Sequence, residues 1–296
     1  MKFANSRLAL YATLAATRFL GRYSTRLSGG PAYLLWFTPW RVPVSERGLR
    51  KQAGWLDDTD RFILKTSVGR LAGFTAGEGP VVVLVHGWGE RAAGMGGFIA
   101  PLTAAGFRVV GFDLPAHGDS SRQMTHGPLD AATALRELTD HLGGAHGVIA
   151  HSAGAHAALL ALDAGLAVNC AVFIAPNSDM GYTLETFRGM FDLPPKAMVG
   201  LKQKIERRFG ASIFRDINGE DVAPRLTTPA LLFHDPDDPQ VPFEGSERLA
   251  RAWAGSQLIE APGLGHGAIT RDPSVIQRSV AFVSEATQKL TKSRSA

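Results

Sequence analysis

At 296 residues the chain is long enough for one large α/β domain or two small ones, and 45% hydrophobic against 20% charged residues excludes a disordered polymer. A single cysteine, Cys170, excludes an internal disulfide framework and gives no metal-binding pair; its apolar run, Cys170 to Ile174, makes it a buried thiol. The net charge of +4 is uneven, because residues 1–56 hold nine Lys and Arg and one acid, Glu46, while the remaining chain is at −4.

Residues 1–26 read as a proline-free helix in which Leu8, Leu10, Tyr11, Leu14, Phe19 and Leu20 alternate with alanines. At about 100° per residue, Arg7, Arg18 and Arg22 gather into a basic stripe. The apolar stretch from Leu8 to Thr17 is too short to span a bilayer, which takes about 20 residues. Arg18-Phe19-Leu20 is a poor secretory cleavage site. Tyr33, Trp36, Phe37 and Trp40, next to Arg41, complete an arm over residues 1–60. Two readings follow: the arm packs on the body or on a second subunit, or it makes peripheral membrane contact. The expected location is cytoplasmic, with membrane association as the second possibility.

From residue 61 the pattern changes. Residues 61–66 and 69–74 suggest a hairpin. Apolar runs then recur at 81–85, 107–112, 147–151, 170–174, 229–233 and 256–260, as in a parallel sheet covered on both faces. Helices are expected over 95–105, 128–142, 153–164, 244–254 and 273–289, with Gly106, Gly165 and Gly255 as left-handed caps. The α/β core thus spans 61–178 and 226–290. About fifty residues separate two of its strands, and this insertion over 179–225 reads as a small helical lid. Its Phe187, Met190 and Phe191 are candidates for the wall of an apolar pocket, the alternative being that they anchor the lid.

Ser152 stands where the strand 147–151 turns into a helix, with small residues at Ala150 and Gly154, the spacing a sharply bent nucleophile requires. A serine hydroxyl needs a base, and His266 in Gly263-Leu264-Gly265-His266-Gly267 is the candidate. The base needs an orienting carboxylate, for which Asp238 is chosen; Asp235 and Asp237 read as turn formers, and Asp179 is a further candidate. An oxyanion would be met by the N–H of Ala153 and by that of Trp88 in His86-Gly87-Trp88-Gly89, where glycines allow close approach. His86, Gly87 and the Trp88 ring are further pocket candidates. His151 is another, although strand alternation points it away from Ser152 and toward packing. The string from Asp113 to Ser120 reads as a turn fixed by side-chain to backbone bonds. No zinc, nucleotide or nucleic-acid motif occurs, so no metal, cofactor or nucleic-acid partner is implied.

These strings together resemble the α/β-hydrolase superfamily over roughly residues 62–288, with glycine replaced by Ala150 as the one departure. The resemblance implies an eight-stranded, mostly parallel sheet with helices on both faces and a lid between the sixth and seventh strands. A serine at position 152 argues against the branches that use aspartate there. The expected activity is cleavage of a carboxylic ester or thioester, with an apolar acyl substrate, through an acyl-enzyme. The alternatives are C–C bond hydrolysis, perhydrolysis or acyl transfer with the same residues, or ligand binding without catalysis.

Overall fold

A computed structural model provides the fold. It describes the backbone of residues 2–39, 44–121 and 127–294, and side chains over 8–39, 44–121 and 127–288. The expectations for Trp40, Arg41 and the Arg7 side chain lie outside the described residues. The chain opens with α1 (Lys2–Tyr23), α2 (Thr25–Trp36) and α3 (Glu46–Gly54), followed by a hairpin of β1 (Asp60–Thr66) and β2 (Gly69–Ala76). Next come β3 (Val81–Val85), a 3-10 segment (Ala92–Phe98), α4 (Ile99–Ala104), β4 (Arg108–Phe112), α5 (Pro128–His141) and β5 (Gly147–His151). Then α6 (Ala153–Asp163) and β6 (Cys170–Ile174) precede the insertion, which holds α7 (Met180–Met190), α8 (Pro195–Phe209) and α9 (Ile213–Asp216). The chain continues through α10 (Gly219–Val222), β7 (Ala230–His234), α11 (Phe243–Ala252), β8 (Ser256–Glu260), α12 (Gly265–Ala268) and α13 (Pro273–Arg294).

Two compact units result: Met1–Pro39 with Asp179–Asn218, and Trp40–Ser178 with Gly219–Ala296. The larger unit is an eight-stranded sheet in the order β1-β2-β4-β3-β5-β6-β7-β8, with β2 antiparallel to its neighbours β1 and β4 and the pairs among β3 to β8 parallel. Its central strands β5, β6 and β7 are buried at every position, which is why they read as unbroken apolar runs. Alternation still sorts their side chains. Val82, Leu84, Val109, Ile149, Val172, Leu231 and Phe233 join one core with Phe98, Leu102, Val275, Ile276 and Val283 from the 3-10 segment, α4 and α13. The opposite face is covered by α6 and α5, and by Trp253 after α11, whose ring meets Phe173 edge-on at 5.4 Å. Burial pushes the Cys170 thiol up to about 12, so it stays uncharged.

The smaller unit joins the arm to the insertion. Gly29 and Gly200 bring α2 and α8 into backbone contact: a methyl at Gly200 would fall 2.3 Å from the Thr25 carbonyl oxygen and 2.9 Å from Gly29 Cα. Tyr33 lies beneath Lys204 and Arg208, and Arg208 donates to its hydroxyl.

Three details depart from the expected elements. The first helix breaks at Ser24, which is extended and caps α2 by accepting from the Leu27 N–H at 3.2 Å. The expected helix over 95–105 begins as 3-10 through a segment holding Gly94, Gly96 and Gly97, poor helix formers, and Trp55 lies so close over Gly96 that a Cβ there would meet it at 2.7 Å. Gly106 and Gly165 are left-handed, but Gly255 is not; α11 ends instead at Trp253, whose buried indole N–H donates to the Thr228 carbonyl.

Replacing Gly200 by alanine pushes two backbones apart and is expected to cost about 1–3 kcal/mol in the smaller unit. Amide exchange should accelerate over residues 25–36 and 195–209 while β3 to β7 stay protected. Unchanged exchange in α2 and α8 would contradict the close-packing role.

Candidate active site

The site begins with backbone strain. β5 delivers the chain to Ser152, which adopts φ 52° and ψ −121°, a region L residues rarely enter and one costing of order 1–3 kcal/mol. The Ser152 N–H donates to the Ile174 carbonyl at 2.9 Å, and its own carbonyl accepts from Ala155 at 3.0 Å, so the bend is tied to β6 and α6. Gly154 lets α6 start directly beneath the loop after β3. A methyl there would meet the His86 and Val85 carbonyl oxygens at 2.3 and 2.8 Å. Gly87 is constrained from the other side, since its Cβ would lie 3.1 Å from Ser152 Cβ.

His266 arrives from the loop after β8, where Gly263 and Gly265 take left-handed backbone. Its Nε2 lies 3.0 Å from Ser152 Oγ, and its Nδ1 lies 2.7 Å from Asp238 Oδ2. Ser152 and His266 are buried, and the Asp238 side chain is wholly so. Because an ionised carboxylate only accepts, Nδ1 carries the hydrogen and Nε2 faces the serine with a lone pair. Burial pushes the Asp238 pKa up, but hydrogen bonds from His234, His266 and the Gln240 N–H outweigh it and hold the group well below the usual carboxylate range. Asp238 Oδ1 accepts from Gln240 at 2.7 Å and Val241 at 3.1 Å. His234, buried, lies 3.3 Å from Asp238 and 2.6 Å from Ser246 Oγ, linking the acid loop to α11.

The other acid candidates have separate positions. Asp235 accepts from the Asp237 N–H at 3.0 Å, as a turn former does, and its second oxygen accepts from Gly265, clamping the loop of His266. Asp179 caps α7, accepting from Tyr182 at 2.9 Å. Asp113 braces its turn, accepting from Ala92 and Asp119 at 2.8 and 2.7 Å.

Among the pocket candidates, His86 is a bracing residue: wholly buried, it accepts from the Leu114 N–H through Nε2 at 2.9 Å and donates from Nδ1 to the Gly87 carbonyl. Trp88 is half-buried and meets His117 edge-on at 5.1 Å. Phe187 and Phe191 are interior residues of the smaller unit, Phe187 meeting both Trp36 and Phe191 edge-on, and Met190 is 68% exposed.

His151 has a role that alternation alone did not show. Its Nε2 lies 2.9 Å from the His266 carbonyl, its Nδ1 lies 3.2 Å from Glu90 Oε2, and its ring sits 4.8 Å from that of His266. Both partners are acceptors, so both ring nitrogens must donate and the buried imidazole is a cation. Burial pushes its pKa down, but the charge and hydrogen bond of Glu90, the His266 carbonyl and the Asp238 charge together outweigh that, and the net direction is up. Glu90 also accepts from the Gly87 N–H at 3.0 Å. Burial raises its pKa, yet the His151 charge and hydrogen bond bring it down to about 2. The signal for Glu90 was available as the one carboxylate in the glycine-rich loop, but no local spacing connects it to position 151.

Among the described residues no group of three or more His, Cys, Asp or Glu side chains is gathered for a metal ion. Residues 82–276 match the model of the Alpha/beta hydrolase family. The chain belongs to this family. Within it, 46 residues are 52% identical to pimeloyl-[acyl-carrier protein] methyl ester esterase of Methylococcus capsulatus, a match covering 16% of this chain and 18% of that enzyme. The fold is similar to that of a bacterial membrane phospholipase A, with TM-score 0.62, 20% identity, and 81% of this chain and 91% of that one covered. It is also similar to an esterase from Exiguobacterium antarcticum, with TM-score 0.60, 18% identity, and 75% and 98% covered.

The Glu90–His151 pair has a testable pH signature. Glu90, depressed, stabilises the fold above its unfolded value of 4.5 and loses this as pH falls through about 2. His151, raised, contributes below its unfolded value of 6.5 and loses this as pH rises through its folded value. Glu90→Gln should therefore cost about 3 kcal/mol, with the difference from wild type greatest between pH 4.5 and 6.5. Urea unfolding across pH checks this, and a pH-independent difference would contradict the ion pair.

Proposed function

We propose that this family member is a serine hydrolase that cleaves a carboxylic ester or thioester through an acyl-enzyme. The observation that carries the reading is the relay Asp238–His266–Ser152, with contacts of 2.7 and 3.0 Å, ending on a serine held in strained backbone. The short match to a methyl ester esterase supports the ester class.

In this reading Ser152 Oγ attacks the acyl carbonyl carbon while its proton passes to His266 Nε2. The carbonyl oxygen becomes an oxyanion that accepts from the N–H groups of Ala153 and Trp88. Ala153 is the first residue of α6, where a helix leaves its amides without internal acceptors. The tight approach of Gly154 to His86 brings the loop carrying Trp88 against that helix end. Collapse of the tetrahedral species breaks the bond to the alcohol or thiol, which leaves with the proton from His266. Water then gives a proton to His266 as it attacks the acyl carbon, and the proton returns to Ser152 as the acid departs. Asp238 remains ionised and holds the imidazole in one tautomer and orientation. His151, fixed by Glu90, positions the His266 backbone without touching the substrate.

Two sets of variants test this. Ser152→Ala should lose fluorophosphonate labelling and roughly 10⁵–10⁶ of kcat on an activated ester, and Asp238→Asn about 10⁴ with little change in KM. Ester hydrolysis within tenfold of wild type in Ser152→Ala would overturn the proposal. Glu90→Gln, acting only through position, should lower kcat by about tenfold and leave labelling at Ser152 intact. An unchanged kcat would remove Glu90 from the positioning role.

A further inference from the structure

The smaller unit carries a surface that the hydrolase reading does not use. On α1, Leu8 is 70% exposed, Tyr11 66%, Phe19 62% and Tyr23 69%. At 100° per residue these four lie within an arc of about 120° on one side of the helix. Exposed Arg22 falls inside the same arc, and exposed Arg26 follows on α2. The arm contains no acid through residue 39. Arg18 is committed elsewhere, donating to the Phe191 carbonyl at 2.8 Å, so of the described residues in the expected stripe it is Arg22 that is exposed. What faces outward is an aromatic and aliphatic row flanked by Arg22 and Arg26.

Charge identifies the occupant. The smaller unit carries twelve Lys and Arg against five acids, a net +7, which leaves the larger unit at −3. A second copy of the chain meeting this face would bring two strongly positive units together. A bilayer rich in anionic headgroups offers negative charge for the arginines and an apolar boundary for Tyr, Phe and Leu at the same depth. Among the described residues no helix is long and apolar enough to cross a membrane, so the contact is one of lying on the surface.

We infer that the α1 face formed by Leu8, Tyr11, Phe19 and Tyr23, with Arg22 and Arg26, docks the protein on an anionic lipid surface. The arm belongs to the same compact unit as the insertion between β6 and β7, so docking holds the insertion at the surface along with it. Resting on the hydrolase proposal, this makes esters borne by the lipid phase the favoured substrates.

The experiment is sedimentation of the full chain with vesicles of phosphatidylcholine alone or mixed with phosphatidylglycerol, beside hydrolysis of a soluble short-chain ester. Wild type should bind the anionic vesicles and release them in high salt. The pair Arg22→Gln and Arg26→Gln should weaken binding roughly 30-fold, and the triple Leu8→Gln, Tyr11→Gln, Phe19→Gln by tenfold or so. All altered side chains are exposed, and unchanged thermal melting of each variant confirms folding. Absence of binding, equal binding to both vesicle types, or variants that bind like wild type would overturn the inference. So would a dimer in the absence of lipid that the triple variant dissolves, because the face would then belong to a second copy. Soluble-ester hydrolysis reads the other proposal separately: intact activity without vesicle binding defeats the docking surface alone, and binding without any ester hydrolysis defeats the hydrolase reading alone.

Discussion

Gly154 approaches the carbonyl oxygens of Val85 and His86 more closely than any Cβ could, and the geometry of the site depends on that contact. Because α6 begins hard against the loop after β3, the chain has one residue in which to turn from strand to helix. That residue is Ser152, and the turn forces it to φ 52°. Strain of order 1–3 kcal/mol persists only where the surroundings over-determine it. Here β5 is buried along its whole length, and the Ser152 N–H and carbonyl are both engaged. The same approach sets the loop after β3 against the start of α6.

Three carboxylates hold the loop that delivers His266, each at a different point. Asp238 takes the imidazole, Asp235 takes the Gly265 N–H, and Glu90 acts through His151 on the His266 carbonyl. Burying charge is expensive unless it is paired and fully hydrogen-bonded. Each of the three meets that condition through backbone amides or a histidine, and the result is an imidazole fixed in position and in tautomer. In the proposed reaction a rigid imidazole costs little reorganisation when a proton moves, which gives three carboxylates on one loop their physical reason.

The sheet was legible because its central strands are apolar at every position, and runs such as Val81 to Val85 and Cys170 to Ile174 have no other economical fate. Ser152, Asp238 and His266 were legible because each follows such a run in a turn of small or polar residues. Glu90 was not, since its partner His151 lies sixty-one residues away and only the fold joins them. The pairing of Asp235 with Gly265 was hidden for the same reason. The break at Ser24 had a local signal, a serine able to cap the next helix, that was outweighed by the alanine-rich pattern around it. That the arm shares a unit with the insertion rests on Gly29 meeting Gly200, a contact between residues whose small size is visible in sequence but whose proximity is not.

The most direct measurement is a crystal structure of the protein after reaction with an alkyl phosphonate, a stable mimic of the tetrahedral species. Phosphorus bonded to Ser152 Oγ is expected, with one oxygen within hydrogen-bond distance of both the Ala153 and Trp88 N–H groups and His266 still on Asp238. An adduct on another side chain, or a phosphoryl oxygen turned away from both amides, would contradict the proposed chemistry.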